Sequence, residues 1–222
     1  MLMAVVGVCE DDVALRGVLV AALKGAGHEV ISTSTGEQAV RLLGKDSGVQ
    51  VCVLDIGLPD ADGRDVCLAL RAAGQPAPVL FLTALGAVHE RLAGFHAGGD
   101  DYLTKPFAVS ELLVRLDALA RRGTTPVASE TGLRLDAGKH AITFGAQEVR
   151  LSPTEFRLFA TIAGRDGEVV RRGTLVAAGW PDGAMVSDNT LDSYIRRLRT
   201  KLEGIEAPVG IETVRGVGYT LR

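Results

Sequence analysis

The sequence predicts a (βα)5 doubly wound parallel sheet followed by a smaller domain that opens with short strands and closes with helices and a hairpin. Three observations carry that expectation. The 222 residues are long for one compact domain and suit two of about 100 residues each. Short apolar runs alternate with helical patterns through the first half, as in βαβ units. A run of Thr, Pro, Ser and Glu from Thr124 to Thr131 then breaks the pattern and reads as an exposed linker. The expected division is a first domain over 1–122, a linker over 123–132 and a second domain over 133–222.

In the first domain, strands are expected at about residues 3–9, 28–33, 50–55, 78–83 and 101–104, and helices at about 13–26, 36–46, 63–73, 86–98 and 109–122. Val13, Leu15, Val18, Leu19, Ala22 and Leu23 give the first helix an apolar stripe, and Gly25 and Gly27 supply its stop. Ala108 stands where Ser or Asp would often cap the last helix, a loss of about 1 kcal/mol. Beyond the linker, Leu133 to Leu135, Ala141 to Phe144 and Glu148 to Leu151 read as a small antiparallel sheet. In LSPTEF, Ser152 is an N-cap, Pro153 takes the first helical position and Glu155 completes a capping box. Further helices are expected at about 172–178 and 189–203, and IETVRGVGYTLR alternates around Gly216 and Gly218 as a terminal hairpin would.

Hydrophobic residues make up 47% of the chain and charged residues 23%, the balance of a folded protein, and with 5% aromatics the cores are aliphatic. Apolar stretches such as Val79 to Leu82 fall far short of the roughly 20 residues that a membrane span requires. The N-terminus has no basic segment, apolar run and cleavage site of a secretory signal, so a soluble, cytoplasmic protein with no membrane partner is expected. Cys9, Cys52 and Cys67 lack any C-x-x-C pair or His ligand set and read as small buried hydrophobes. The formal net charge of −3 conceals an asymmetry: residues 1–122 carry 11 Lys/Arg and 15 Asp/Glu, whereas 123–222 carry 13 and 12. Within the second half, Arg196, Arg197, Arg199 and Lys201 fall in one helical stretch.

Ligands of open α/β sheets bind outside the carboxyl ends of the strands, which directs attention to the residues there. Glu10, Asp11 and Asp12 follow one strand and Asp55 ends another, forming an acidic pocket. Carboxylates that close repel unless a cation sits among them, and a hard ion with few protein ligands suits Mg²⁺. Thr83 and Lys105, at the ends of two further strands, bring a hydroxyl donor and a point charge. A transferring phosphoryl group spreads charge over three oxygens, which these groups suit while a carboxylate attacks in line. Solvated carboxylates are common at strand ends; the coincidence of four strand ends favours the chemical reading. The Lys105–Pro106 step admits a cis bond at modest cost.

Residues 3–122, with VCEDD, VLDIGLPDADG, LTA and GGDDYLTKPF in order and spacing, resemble a bacterial receiver domain. The resemblance implies that Asp55 is the phosphoacceptor and that Mg²⁺ is held at Asp55, by Asp11 directly, by Glu10 through water and by the Gly57 carbonyl. It implies that Thr83 and Lys105 contact the phosphoryl oxygens and that Tyr102 is the aromatic whose rotamer reports phosphorylation. The phosphodonor would be a sensor histidine kinase. Residues 86–115 resemble the surface through which the OmpR/PhoB subfamily forms a homodimer on activation, with Arg91, Asp101, Glu111 and Arg115 at ion-pairing positions. His96 and Ala97 depart from that pattern, standing where acidic residues are frequent.

In NTLDSYIRRLRTKL, Leu191, Ile195, Leu198 and Leu202 fall on one helical face and leave Asn189, Ser193, Tyr194, Arg196, Arg197 and Lys201 more exposed. Four basic residues alone describe a solvated surface helix equally well. Placed after a helix and a loop, the segment has helix-turn-helix geometry, in which Arg reads guanine edges or anchors phosphates. Arg215 at the hairpin tip suits a narrow minor groove. Residues 133–222, with LSPTEF, DNTLDSYIRRLRTKL and TVRGVGY, resemble the winged-helix effector domain of the OmpR/PhoB subfamily. That resemblance implies contacts to double-stranded DNA from Arg196, Arg197, Arg199, Thr213 and Arg215, together with Asn189 and Tyr194. GWPDGAM resembles the loop through which relatives touch RNA polymerase, although Trp180 is equally suited to packing.

Two other classes compete. A phosphatase or phosphotransferase of the haloacid-dehalogenase kind would want a carboxylate two residues after the nucleophile, where this chain has Gly57. A regulator that works without phosphorylation usually lacks part of the pocket, and here the set is complete. A non-enzymatic, phosphorylation-controlled transcription regulator is the expectation.

Overall fold

The computed structural model describes residues 3–84, 99–120, 132–165, 167–180 and 186–222. The first half builds β1 (Val5–Cys9), α1 (Val13–Gly25), β2 (Glu29–Thr33), α2 (Gly36–Leu42), β3 (Val51–Asp55), α3 (Gly63–Ala72), β4 (Val79–Ala84), β5 (Asp101–Lys105) and α4 (Val109–Ala120). The five strands are parallel in the order β2-β1-β3-β4-β5, so strand order reverses at β1 and β3. The helix expected over 86–98 and all of the linker but Gly132 lie outside the described residues.

Alternation along the strands sorts side chains to the two faces of the sheet. Val6, Val8, Val51, Val53, Leu80 and Leu82 pack with Leu19 and Leu23 of α1 and Leu112, Leu116 and Leu119 of α4. Cys9, Cys52, Leu54, Val79 and Phe81 join the opposite layer with α2 and α3. All three cysteines are buried and free, and burial pushes the thiols of Cys9 and Cys67 up to about 11 and that of Cys52 to about 12, as inert packing groups.

Short polar side chains start the helices: Asp12 Oδ1 accepts from the Leu15 amide at 2.8 Å, and Asp62 Oδ1 from the Arg64 amide at 2.8 Å. At α4 no side chain replaces them, and the Glu111 and Leu112 amides bond the Ala108 carbonyl instead. The helix expected over 36–46 stops at Leu42 and gives way to a 3₁₀ turn at Lys45–Ser47. Buried Gln75 explains the break, because its Nε2 donates to the carbonyls of Leu43 at 2.6 Å and Gly44 at 2.9 Å.

The second half contains β6 (Arg134–Asp136), β7 (Ala141–Phe144), β8 (Gln147–Arg150), α5 (Pro153–Ala163), β9 (Val170–Arg171), α6 (Arg172–Gly179), α7 (Asp188–Gly204), β10 (Ile211–Val214) and β11 (Gly218–Leu221). β6, β7 and β8 form an antiparallel sheet, and a second antiparallel sheet has the order β10-β11-β9. This is a winged helix-turn-helix. The terminal hairpin thus gains a third strand, β9, which at two residues is too short to leave a sequence pattern. Ser152 and Glu155 complete the capping box at α5 in both directions. Phe156, Phe159, Leu191, Ile195, Leu198 and Leu202 form the core, which continues without a break into the α3 side of the first domain.

Candidate functional site

The carboxyl ends of β1, β3, β4 and β5 converge, as the parallel topology requires, and bring Glu10, Asp55, Thr83 and Lys105 together. Lys105 Nζ lies 2.8 Å from Glu10 Oε2 and 3.0 Å from Asp55 Oδ2. Ligand atoms of Glu10, Asp11 and Asp55 all fall within 4.8 Å of one another. Burial raises the Glu10 carboxyl above the usual range and Asp55 pushes the same way, against the pull of Lys105. Burial would lower Lys105, but its hydrogen bonds to Glu10 and Asp55 raise it, so the ammonium stays charged. Glu10, Asp55 and Thr83 are buried, whereas Asp11 and Gly57 face solvent.

Several residues that the sequence did not single out shape the pocket. Arg16 Nη1 donates to the carbonyls of Glu10 at 2.6 Å and Asp11 at 3.0 Å, fixing the turn after β1. Asp60 accepts from the amides of Gly36 at 2.8 Å and Glu37 at 3.0 Å, tying the segment after β3 to the start of α2. At Gly63 a Cβ would collide with the Asp55 carbonyl, so only glycine lets α3 start against the end of β3. Signals for these were local and unremarkable: an Arg on a first helical turn and an Asp in a loop. The Lys105–Pro106 bond is cis.

Tyr102 is buried, its ring centroid 5.3 Å from that of Phe81. Asp101, Glu111 and Arg115 come together within one chain: Arg115 lies 2.9 Å from Asp101 Oδ2 and 2.8 Å from Glu111 Oε1. Arg91, like Leu85, His96 and Ala97, lies outside the described residues.

In the second domain, α7 exposes Asn189, Arg196 and Arg197, and Arg215 is exposed between β10 and β11. Tyr194 is half-buried, edge-on to Trp180 at 5.3 Å, with the Arg197 guanidinium 5.3 Å from its ring centre. Arg199 turns inward: its Nε donates to the Ile211 carbonyl at 2.7 Å and its Nη2 to Thr213 Oγ1 at 2.8 Å, joining α7 to the hairpin. Lys201, expected among the exposed residues, is instead half-buried and donates to Glu155 Oε2 at 2.7 Å and the Arg150 carbonyl at 2.9 Å. A buried carboxylate at the start of α5 attracts it. Arg172, Asp192 and Tyr219 form a further brace: Arg172 donates to Tyr219 Oη at 2.8 Å and Asp192 Oδ1 at 2.6 Å, while the Tyr219 hydroxyl also donates to Asp192. Residues 181–185, most of the segment resembling a polymerase-contacting loop, lie outside the described residues.

Residues 6–117 match the response regulator receiver domain family, and residues 146–221 match the family described as transcriptional regulatory protein, C terminal. The chain is a response regulator. Its similarity to the transcriptional regulatory protein TcrA of Mycobacterium tuberculosis (strain ATCC 25618 / H37Rv) is 42% identity over 219 residues, covering 97% of this chain and 86% of that one. The response regulator MprA of Mycobacterium sp. (strain KMS) is 39% identical over 221 residues, covering 97% and 96%. Among solved structures, the receiver domain of the Francisella response regulator 1452 is 30% identical with a TM-score of 0.51, covering 54% of this chain and 98% of that one. This response regulator joins a receiver to a winged-helix transcriptional-regulatory domain and acts in two-component regulation of transcription. Its receiver implies a histidine kinase partner and its effector domain implies DNA binding. No helix among the described residues is long and apolar enough to cross a membrane.

Proposed function

We propose that this response regulator accepts a phosphoryl group from a sensor histidine kinase on Asp55, and that the acylphosphate controls homodimerisation and sequence-specific DNA binding. One observation carries the reading: a charged ammonium, Lys105, bridges two buried carboxylates, Glu10 and Asp55, at the strand-order reversal. So concentrated an acidic cluster fits a divalent cation, whose charge would offset the burial and the Asp55 repulsion that push the Glu10 carboxyl up. Asp11, Asp55, the Gly57 carbonyl and Glu10 through water would hold Mg²⁺, which supplies positive charge to the transferring phosphoryl group.

Asp55 Oδ attacks phosphorus, the bond from phosphorus to the donor imidazole breaks, and the departing nitrogen takes a proton from solvent. Lys105 and the Thr83 hydroxyl receive the phosphoryl oxygens. Thr83 then draws toward the acylphosphate and Tyr102, buried beside Phe81, follows it. Residues 86–115 pair two receivers through Arg91, Asp101, Glu111 and Arg115. Two effector domains then reach direct-repeat half-sites about one DNA turn apart. Arg196, Arg197, Arg215 and Asn189 contact DNA; Tyr194, Arg199 and Thr213 present them or add backbone contacts. RNA polymerase is the partner proposed for the segment around Trp180, and the cytoplasm is the compartment. The chain is regulatory rather than enzymatic, with domains over 1–122 and 133–222 joined by 123–132.

The test is incubation with Mg²⁺ and acetyl phosphate. An acid-stable, hydroxylamine-labile phosphate on the wild type and none on Asp55→Asn is expected. Equal labelling of both proteins, or none of either, refutes the assignment.

A further inference from the structure

The early end of α2 leaves a groove. Gln75 holds the carbonyls of Leu43 and Gly44, and the 3₁₀ turn Lys45–Ser47 that follows faces the start of β6 across a cavity of about 540 Å³. A second cavity of about 510 Å³ shares Arg41, Ala73, Leu133 and Arg134 with it, so the two are continuous. Each has the size of a small-molecule site, about 300–1,000 Å³. Val40, Ala73, Leu133, Leu135 and Ala137 are buried or half-buried and give the groove an aliphatic floor.

Charge is sorted along its length. At one end Arg41, Lys45 and Arg134 stand against a single acid, Asp46. All three cations are exposed, and among the described residues none makes an ion pair or a side-chain hydrogen bond. Arg41 lies in the last turn of α2, where a basic side chain complements the helix dipole, but that accounts for neither Lys45 nor Arg134. At the other end Glu37, Asp136 and Glu148 surround one lysine, Lys139, whose Nζ is 3.5 Å from Asp136 Oδ2 and 3.9 Å from Glu148 Oε2. Solvated charges are common on any surface. These share a concave wall over an apolar floor, with opposite signs at its two ends.

A ligand complementary to that order carries phosphate at one end, an apolar face in the middle and hydrogen-bond donors at the other. Arginine forks pair bidentately with phosphate oxygens, and a lysine adds a point charge. Carboxylates accept from the amino and hydroxyl groups that a nucleobase and a sugar offer. We propose that the groove between α2 and β6 binds a nucleoside phosphate, with its phosphates on Arg41, Lys45 and Arg134, its nucleoside over Leu133 and Leu135, and its donors toward Asp136 and Glu148. Arg41 and Lys45 belong to the receiver and Arg134 to the effector domain, so the phosphates are held by both. The lining includes none of Glu10, Asp11, Asp55, Thr83 and Lys105, so binding here is independent of the acylphosphate chemistry proposed above.

The experiment is calorimetric titration of the full-length protein with ADP, adenosine or pyrophosphate, with EDTA present to keep metal out of the acidic pocket. ADP is expected to bind at one site, and adenosine and pyrophosphate about 10-fold more weakly or worse, a difference of about 1.4 kcal/mol. Arg41→Gln and Arg134→Gln, one in each domain, should each weaken ADP by a similar factor, and Arg134→Lys, which keeps the charge, should lose less than Arg134→Gln. An excess of random duplex DNA, which occupies the basic face of α7, should leave ADP bound. No binding at about 1 mM ADP, or unchanged affinity in both glutamine variants, overturns the site. Displacement by the duplex assigns the nucleotide to α7 and overturns it equally. Pyrophosphate binding as tightly as ADP overturns the nucleoside part of the assignment, and adenosine binding as tightly overturns the phosphate part.

Discussion

Replacing Lys201 by Met separates two meanings of a basic residue on the recognition helix. If Lys201 served DNA, the variant would keep its stability, weaken binding on all sequences and lower the salt slope by about one unit. Its geometry points elsewhere, to Glu155, whose side chain is 5% exposed against 30% for Lys201. Glu155 also accepts from the Ser152 amide at 2.7 Å, so losing the ammonium strips one of two supports from a buried carboxylate. Breaking a fully buried pair costs about 3–5 kcal/mol; water reaches the vacated side here, so about 2 kcal/mol is expected. At roughly 4–8 °C per kcal/mol for a domain this size, the effector midpoint falls by roughly 10 °C. Trp180 is the single tryptophan and makes urea unfolding of the effector domain directly visible by fluorescence. The pH dependence has a definite sign. Burial would raise Glu155, but Lys201 and the Ser152 amide hold it below 4.5, so its contribution is present above that value and lost as pH falls through the lower folded pKa. The gap between wild type and variant should close with it. A loss below about 0.5 kcal/mol, or a gap unchanged from pH 7 to about pH 3, would refute the buried-pair argument.

Other outcomes follow from the same structure. Arg197→Ala should cost about 1–3 kcal/mol on the specific duplex and relax preference at one position; equal loss on random DNA would assign it to phosphate alone, and Arg215→Ala is tested similarly on A·T-rich flanks. A Cβ at Gly99 would lie 2.9 Å from Tyr102 Oη and closer still to the Phe81 ring, so Gly99→Ala should destabilise the receiver by about 1–3 kcal/mol. Adding Phe81→Leu should recover part of that loss in urea titrations, and no recovery would show that Phe81 is not the obstacle. For the lifetime of the acylphosphate, Gly57 lies open, its added Cβ 4.0 Å from Asp55 Oδ2. Gly57→Asn, or Leu85→Glu at the position two after Thr83, should speed decay about 10-fold by orienting water; labelled phosphate lost faster from the wild type than from both variants would contradict this.

Elements set by local chemistry were legible in the sequence, and the structure places them within a few residues. The capping box of Ser152 and Glu155 is a two-residue signal with its partners three positions apart, and the continuous apolar run VCVL before Asp55 marks a strand buried on both faces without reference to a distant partner. Where the extent of an element depended on a distant side chain, reading failed. The helix over 36–46 was overextended because the residue that ends it, Gln75, lies about 30 positions downstream and competes for its carbonyls.

The same limit governs charges. NTLDSYIRRLRTKL reports which positions share a face, but not where on the polar side the neighbouring acids and carbonyls stand. Arg196 and Arg197 meet solvent, whereas Arg199 meets the Ile211 carbonyl and Lys201 meets Glu155. Asp65 is the converse case. On α3 of a lone receiver it would be a solvated residue with nothing to mark it, and its burial is created by Arg157, 92 positions away in another domain. Helical periodicity did record the event in apolar terms, since Leu68, Ala69 and Ala72 make α3 too hydrophobic on the side away from the sheet. A helix with two apolar stripes where one is needed therefore signals a second partner, and a lone acid in the second stripe indicates that the partner brings a cation.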